Sequence, residues 1–179
     1  MILTLLATNT ESGDAVSNFT SSIDSTYDEY MFVCTNMGPA TNGVTFQFQA
    51  STDSGSNYNT TATTTFFRAY HTESGSEAAV AYMTGDDLSQ GTGFVNLSET
   101  EQVGSVADEA ISCILHLYSP SNTTYVKHFD ATSAYNSAAD AAQNARIGGY
   151  FNTTSAIDAV SFKMSSGNMD GVIQMYGIA

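Results

Sequence analysis

The segment 151–178 (FNTTSAIDAVSFKMSSGNMDGVIQMYGI) constrains the fold more than any other part of the chain. Val160, Phe162 and Met164 alternate with polar residues, which is the two-residue period of a strand with one buried face. Residues 165–168 (SSGN) then supply side chains that tolerate a reversed backbone. A second run at the same period follows, formed by Val172, Gln174, Tyr176 and Ile178. We predict two strands joined by a tight turn, with the C-terminal end held in a sheet.

The composition favours an all-β protein. The 179 residues are 42% hydrophobic, and the length predicts one domain spanning residues 1–179. Charged residues make up 12% of the chain, which is about half of the usual share of roughly 25%. Ser, Thr, Asn and Gly take their place on the surface, and these are poor helix formers. The 10 Tyr and 10 Phe also favour strands.

The charge balance excludes two classes of partner. Four basic residues against 18 acidic ones give a net charge of −14. A surface this acidic repels phosphates, so we expect no nucleic-acid partner and no anionic membrane partner. Because the acids are scattered along the chain, solubility explains them better than clustered cation binding, which stays the alternative.

The other strands are predicted from short apolar or alternating runs bounded by turn residues. They lie at 1–7, 16–23, 29–37, 44–48, 63–70, 94–97, 111–118, 125–129 and 147–152, with 78–84 of uncertain type. Segments 50–61 and 85–110 are predicted as long exposed loops, and the Ala-rich segment 137–145 as a loop or a single helical turn. Nine to eleven short strands with connections too short for crossover helices indicate a single-domain, antiparallel, two-sheet, jelly-roll-like β-sandwich.

Two cysteines, Cys34 and Cys113, lie inside apolar strand patterns. Neither has a C-x-x-C neighbour, so the sequence does not indicate a zinc site. We interpret them as two small buried hydrophobic residues, and a disulfide across the two sheets is the alternative.

Histidines and acids are the residues of this chain that could act as catalytic groups or metal ligands. His116 and His128 lie on adjoining strands and would approach each other if that hairpin paired symmetrically, but no further ligands accompany them or His71. The acids Asp24, Asp28 and Glu29 lack the spacing of a calcium loop. The sequence therefore predicts no catalytic, cofactor-binding or metal site.

The weakest alternative is an enzyme that acts on glycans, with acid pairs in predicted loops as its catalytic groups. They are predicted to be solvated, since all of them stand among polar residues: Asp86 and Asp87, Glu99 and Glu101, Asp108 and Glu109. Tyr58 and Tyr135 are predicted as exposed loop tyrosines, either ordinary or able to stack on sugars.

Several segments together resemble small β-rich proteins of tailed bacteriophages, especially marine and cyanobacterial ones. They are SIDSTYDEYMFVC (22–34), LHLYSPSNTTYVKHF (115–129), GYFNTTSAIDAVSFKMSSGNMDG (149–171) and the ending IQMYGI. The resemblance covers most of the chain, is strongest from Ser112 onward and includes no catalytic motif. It implies a structural role on the virion, without saying where on the particle.

The expected function is therefore that of a non-enzymatic virion structural protein. Our first hypothesis is a capsid decoration or cement protein on the outer surface of the head, working without a cofactor. Its partners would be the major capsid protein or tail proteins, and it would assemble as a homo-oligomer. Its contacts are expected through loops 50–61 and 85–110. The alternative is a carbohydrate- or receptor-binding module on the tail or a fibre.

Overall fold

The computed structural model describes residues 2–179, and the regular secondary structure in this range is β-strand. The strands are β1 (Leu3–Asp14), β2 (Ser17–Phe19), β3 (Glu29–Pro39), β4 (Phe46–Ser51), β5 (Ala62–Thr72), β6 (Ala78–Tyr82), β7 (Val95–Asn96), β8 (Ile111–Tyr118), β9 (Lys127–Ser137), β10 (Ala141–Phe151), β11 (Ala159–Met164) and β12 (Met169–Ile178). Eight form one sheet in the order β1-β12-β3-β8-β9-β10-β5-β6, and four form a second in the order β2-β11-β4-β7. All neighbouring strands are antiparallel, which confirms the predicted two-sheet sandwich.

The hydrophobic core fills the space between the two sheets, and Phe162 stands among its aromatic residues. The Phe162 ring centroid lies 5.4 Å from that of Phe32, 6.0 Å from that of Phe46 and 6.1 Å from that of Phe48. Phe32 belongs to the larger sheet and the other three to the smaller, so these contacts join the layers. Such aromatic pairs contribute about 0.5–1.5 kcal/mol each beyond the area they bury.

The larger sheet has two unlike faces, and β8 shows both. Ile111, Cys113, Leu115 and Leu117 are buried toward the core, as their alternation predicts. The intervening residues of β8 point the other way and are half-buried or exposed. We call this second surface of the eight-stranded sheet the outer face.

The C-terminal strands pair differently from the predicted hairpin. The turn 165–168 exists, with Gly167 at a positive φ of 74°, but β11 belongs to the smaller sheet and β12 to the larger one. The turn therefore carries the chain from one layer to the other. The core side of β12 is formed by Ile173 and Met175, and the predicted run from Val172 to Tyr176 lies on the outer face.

The Ala-rich segment 137–145 is not a loop or helical turn, so that prediction is wrong. Ala141 begins β10, and the three residues before it make a tight hairpin turn from β9. Asp140 has a positive φ of 52°, which an Asp side chain tolerates, and its N–H donates to the carbonyl oxygen of Ser137 at 2.9 Å. Ala145 is buried against the core, so the small side chains serve packing rather than helix formation.

The two cysteines are buried with free thiols, as interpreted from the sequence. Cys34 on β3 is directly opposite Cys113 on β8. They are therefore neighbours within one sheet, and the considered pairing across two sheets does not fit the topology.

The predicted exposed loops are more ordered and more buried than expected. Ala50 and Ser51 belong to β4, and segment 85–110 contains β7 and an isolated bridge between Val44 and Val103. Several side chains of segment 85–110 are buried, among them Leu97, Asp86 and Glu99. Along residues 2–179 the chain forms no helix long and apolar enough to cross a membrane.

Candidate functional site

The candidate site is a cleft at the end of the outer face where β8 turns back into β9. Its volume is about 550 Å³. The lining residues combine aromatic rings with hydroxyl, amide and imidazole groups: Tyr118, Ser119, Asn122, Thr124, Tyr125, Val126, His128 and Thr154. Clefts of this size that mix apolar walls with a few polar groups are the usual form of small-ligand sites.

The loop that carries Tyr125 is fixed by its own hydrogen bonds. The Asn122 side-chain oxygen accepts from the backbone N–H of Thr124 at 2.7 Å and of Tyr125 at 2.9 Å. This is the local turn chemistry that makes Asn common in such loops. The Ser119 N–H donates to the carbonyl oxygen of Asp28 at 2.6 Å and ties the loop to the segment before β3. Tyr125 is nevertheless 71% exposed, so its ring is held outward on an ordered loop.

A buried lysine supports two walls of the cleft. Lys127 opens β9 on its core-facing side and is fully buried. Its Nζ donates to the carbonyl oxygen of Tyr125 at 3.0 Å and to that of Thr153 at 3.2 Å. One carbonyl belongs to Tyr125 itself and the other to the residue before Thr154, and both Tyr125 and Thr154 line the cleft. Burial lowers the pKa of Lys127, and the two carbonyls are the compensation that a buried ammonium needs.

A polar network adjoins the cleft along the outer face. The Tyr118 hydroxyl donates to Asp130 Oδ1 at 2.6 Å, and Arg146 Nη2 donates to Asp130 Oδ2 at 3.3 Å. Burial and the bond to Asp130 raise the pKa of Tyr118 to about 12. The Tyr118 ring is therefore neutral and fixed in orientation at the boundary of the cleft.

His116 and His128 lie on the same face of neighbouring strands but are not directly opposite each other. His116 is opposite Asp130 on β9, and its Nδ1 lies 2.5 Å from Glu29 Oε1. His128 is opposite Tyr150 on β10 and lines the cleft. His71 is exposed on β5. Within residues 2–179, His, Cys, Asp and Glu side chains form no group of three or more that could hold a metal ion.

Three of the six acids predicted to be solvated are instead buried, and partners anchor two of them, Asp86 and Glu99. Asp86 Oδ1 accepts from the Thr100 N–H at 2.9 Å and from Asn96 Nδ2 at 3.1 Å. Glu99 forms an ion pair with Arg68 of β5. Asp86 thus ties the two ends of segment 85–101 to each other, and Glu99 connects the segment to β5 of the larger sheet. Of the remaining acids, Glu109 is buried, Asp87 is half-buried, and two are exposed: Glu101 and Asp108.

The prediction of exposed loop tyrosines is wrong for Tyr135, and for Tyr58 it is right about the loop but wrong about the exposure. Tyr135 lies in β9, is buried, and accepts a hydrogen bond from the Glu99 N–H at 3.0 Å. Tyr58 is half-buried, and burial raises its pKa. The tyrosines available to a ligand at the cleft are Tyr118 and Tyr125, which the sequence placed in the predicted strands 111–118 and 125–129. Tyr125 lies instead in the loop before β9, which begins at Lys127.

No protein-family model and no curated protein matches this chain.

Proposed function

We propose that this chain is a non-enzymatic structural protein of a tailed bacteriophage virion, attached as a decoration or cement protein to the outer surface of the head. The resemblance of segments 22–34, 115–129 and 149–171 to small phage proteins supports the virion assignment. The observation that carries the attachment role is a band of apolar side chains on the outer face.

The band follows from the strand register. Phe67 of β5, Arg146 of β10, Thr132 of β9 and Ile114 of β8 are successive cross-strand partners, and Val33 of β3 continues the row. Phe67 is 48% exposed and Ile114 is 42% exposed. A hollow of about 400 Å³ lies beside Ile114 and Val33. Thr132 and Arg146 separate two apolar patches of this row, Phe67 at one end and Ile114 with Val33 at the other. Exposed apolar patches rimmed by polar residues are typical of protein interaction sites.

The partner in this proposal is the major capsid protein. The band holds three apolar side chains, Thr132 and one cation, Arg146, while the whole chain carries a net charge of −14. Attachment by the outer face would bury the apolar band and leave acidic surface toward solvent, which keeps the particle soluble.

Copy number and binding test this proposal together. Quantitative mass spectrometry of purified particles should find hundreds of copies, and a few copies would exclude decoration. Purified protein added to particles lacking it should restore full occupancy. Ile114→Glu should lower its affinity about tenfold or more, since it places a charge in the interface. Val16→Glu, at an exposed apolar position between β1 and β2, should bind like the unmodified chain.

A second candidate function is favoured by the cleft, namely a carbohydrate-binding module on the tail or a fibre. Sugar rings present an apolar C–H face and a rim of hydroxyls. The Tyr125 and Tyr118 rings offer stacking surfaces, and Asn122 and His128 offer polar groups around them. The acidity of the chain selects a neutral saccharide over an anionic one.

A glycan array followed by NMR titration separates the two candidates. A neutral oligosaccharide should bind, Tyr125→Ala should weaken its affinity about tenfold, and excess protein should block phage adsorption. Phe67→Ala removes an exposed ring outside the cleft and should leave saccharide affinity unchanged. Silence on every glycan would end this candidate and leave the decoration proposal in place.

A further inference from the structure

The two sheets have four edge strands, and three of them are protected against pairing with another chain. β2 has three residues and β7 has two, which is too short to template a partner strand. β1 is long, but its pairing with β12 shifts register after Leu5 and again after Ser12. Short strands and irregularities are the devices by which natural sheets avoid edge-to-edge association.

The fourth edge, β6, shows none of these devices between residues 78 and 82. Its sequence is AAVAY, without a charged residue or a proline. Its register with β5 is continuous from His71 opposite Ala78 to Phe67 opposite Tyr82. Val80 at its middle is 80% exposed. An unprotected, uncharged apolar edge is the kind that pairs with another strand.

The register of β6 identifies the backbone groups that are free to pair. The Thr72 N–H donates to the carbonyl oxygen of Glu77 at 3.0 Å, and the Met83 N–H donates to that of Phe66 at 2.9 Å. Because hydrogen-bonding alternates along an antiparallel strand, the odd-numbered residues from 77 to 83 face β5. The N–H and C=O groups of Ala78, Val80 and Tyr82 therefore point away from the sheet.

These groups suit a second copy of this chain, since the edge is symmetric about Val80. An alanine stands on each side of Val80, so the strand presents nearly the same pattern in both directions. A two-fold axis at Val80 would place Ala78 of each copy opposite Tyr82 of the other. Ala78, Val80 and Tyr82 of each copy would then all lie in hydrogen-bonded cross-strand pairs, which gives six N–H···O=C bonds between the two copies. The absence of charge in the strand also avoids like charges at the junction of two acidic chains.

We propose that two copies of this chain pair antiparallel along β6, which joins their larger sheets into one continuous sheet of sixteen strands. The side chains of Val80 and Tyr82 are on the outer face, because Tyr82 is the cross-strand partner of Phe67. Their ring centroids lie 5.1 Å apart. Pairing at β6 thus makes the apolar bands of the two copies continuous. The dimer stands independently of the virion role.

Sedimentation equilibrium of the full chain tests the dimer. The unmodified protein should reach twice the mass of the chain. Val80→Pro should shift the equilibrium at least about tenfold toward monomer, since it removes an outward N–H and none of the bonds to β5. Val80→Thr keeps the N–H and the branched shape and should remain dimeric. Val80→Lys places like charges together at the axis and should be monomeric even if the proline variant fails to fold.

Cross-linking tests the register itself. Hydrogen-bonded cross-strand partners have Cα atoms about 5.5 Å apart, which is within reach of a disulfide. Val80→Cys treated with copper phenanthroline as the oxidant should give a covalent dimer, and Val106→Cys, also exposed, should not. A monomeric unmodified protein, or a dimer that Val80→Pro and Val80→Lys both leave intact, would overturn the proposal.

Discussion

The two faces of the larger sheet carry aromatic residues in different settings. On the inner face the smaller sheet covers the side chains, and rings such as Phe32 are fully buried among others. On the outer face Phe67 has one aromatic neighbour, Tyr82, and remains about half exposed. The inner residues account for the stability of the folded chain. We expect the outer residues to contribute less to it, and the proposed function assigns their apolar character to contact with another protein.

The same contrast holds for the two arginine–carboxylate pairs. Arg68 and Glu99 meet beneath segment 85–101, with side chains 22% and 11% exposed. Arg146 and Asp130 meet on the outer face, with side chains 68% and 31% exposed. Burial decides how much each pair matters to folding, because water screens the second pair and largely not the first.

The largest expected effect on the free energy of unfolding is the difference between removing a buried core ring, Phe162, and removing a half-exposed ring of the outer face, Phe67. Phe162→Ala should lower the free energy of unfolding by about 3–5 kcal/mol, since it removes a ring packed against four others and leaves a cavity. Phe67→Ala should lower it by about 1 kcal/mol or less. Urea unfolding followed by circular dichroism measures both. Equal losses would contradict the distinction between the faces.

A smaller effect is expected from breaking the ion pairs. Replacing Glu99 with Gln should lower the free energy of unfolding by about 2–4 kcal/mol, because Arg68 stays buried without its counter-charge. Asp130→Asn should lower it by less than about 1 kcal/mol. Double-mutant cycles with Arg68→Met and Arg146→Met give the coupling energy of each pair, and a stronger exposed pair would refute the ranking.

The smallest effect concerns pH and an exposed loop. Hydrogen bonds from the Ser51 hydroxyl and then from Asn57 hold the pKa of Asp53 down to about 2. A depressed pKa means stabilisation that is complete above the ordinary value of 3.8 and lost as the pH falls through about 2. The stability difference between the unmodified chain and Asp53→Asn should therefore be constant at neutral pH and shrink below about pH 4. Asp108→Asn, at an exposed acid, should change stability little at any pH. A difference that keeps its full neutral-pH size at pH 2 would contradict the proposed cause.

Side-chain alternation was sufficient to predict the sandwich and much of its core. The inward set of β8 from Ile111 to Leu117 could be predicted because the two-residue period is a local property of the strand. The sequence could not show which sheet each strand joins. The same turn residues, such as those at 165–168, can connect two neighbouring strands of one sheet or two strands in different layers. The prediction of a loop or helical turn at 137–145 is wrong because helix propensity is a local property, whereas the burial of Ala145 depends on the opposite layer.

The candidate site could be predicted less well than the fold. Lys127 is buried because carbonyls of Tyr125 and Thr153 converge on it, and Thr153 is distant in sequence. Glu99 is buried because Arg68 reaches it from a strand 31 residues earlier. Polar composition around these residues suggested solvent exposure. The alternation of His116 and Tyr118 with buried β8 residues did indicate a second face, but not that a cleft forms at its end.

A reconstruction of the intact phage particle tests the central claim most directly, since that claim is that another protein covers the outer face. We expect the chain on the outside of the head, with Phe67 and Ile114 packed against the capsid surface. Density that instead shows these side chains facing solvent, with attachment through a different surface, would contradict the account.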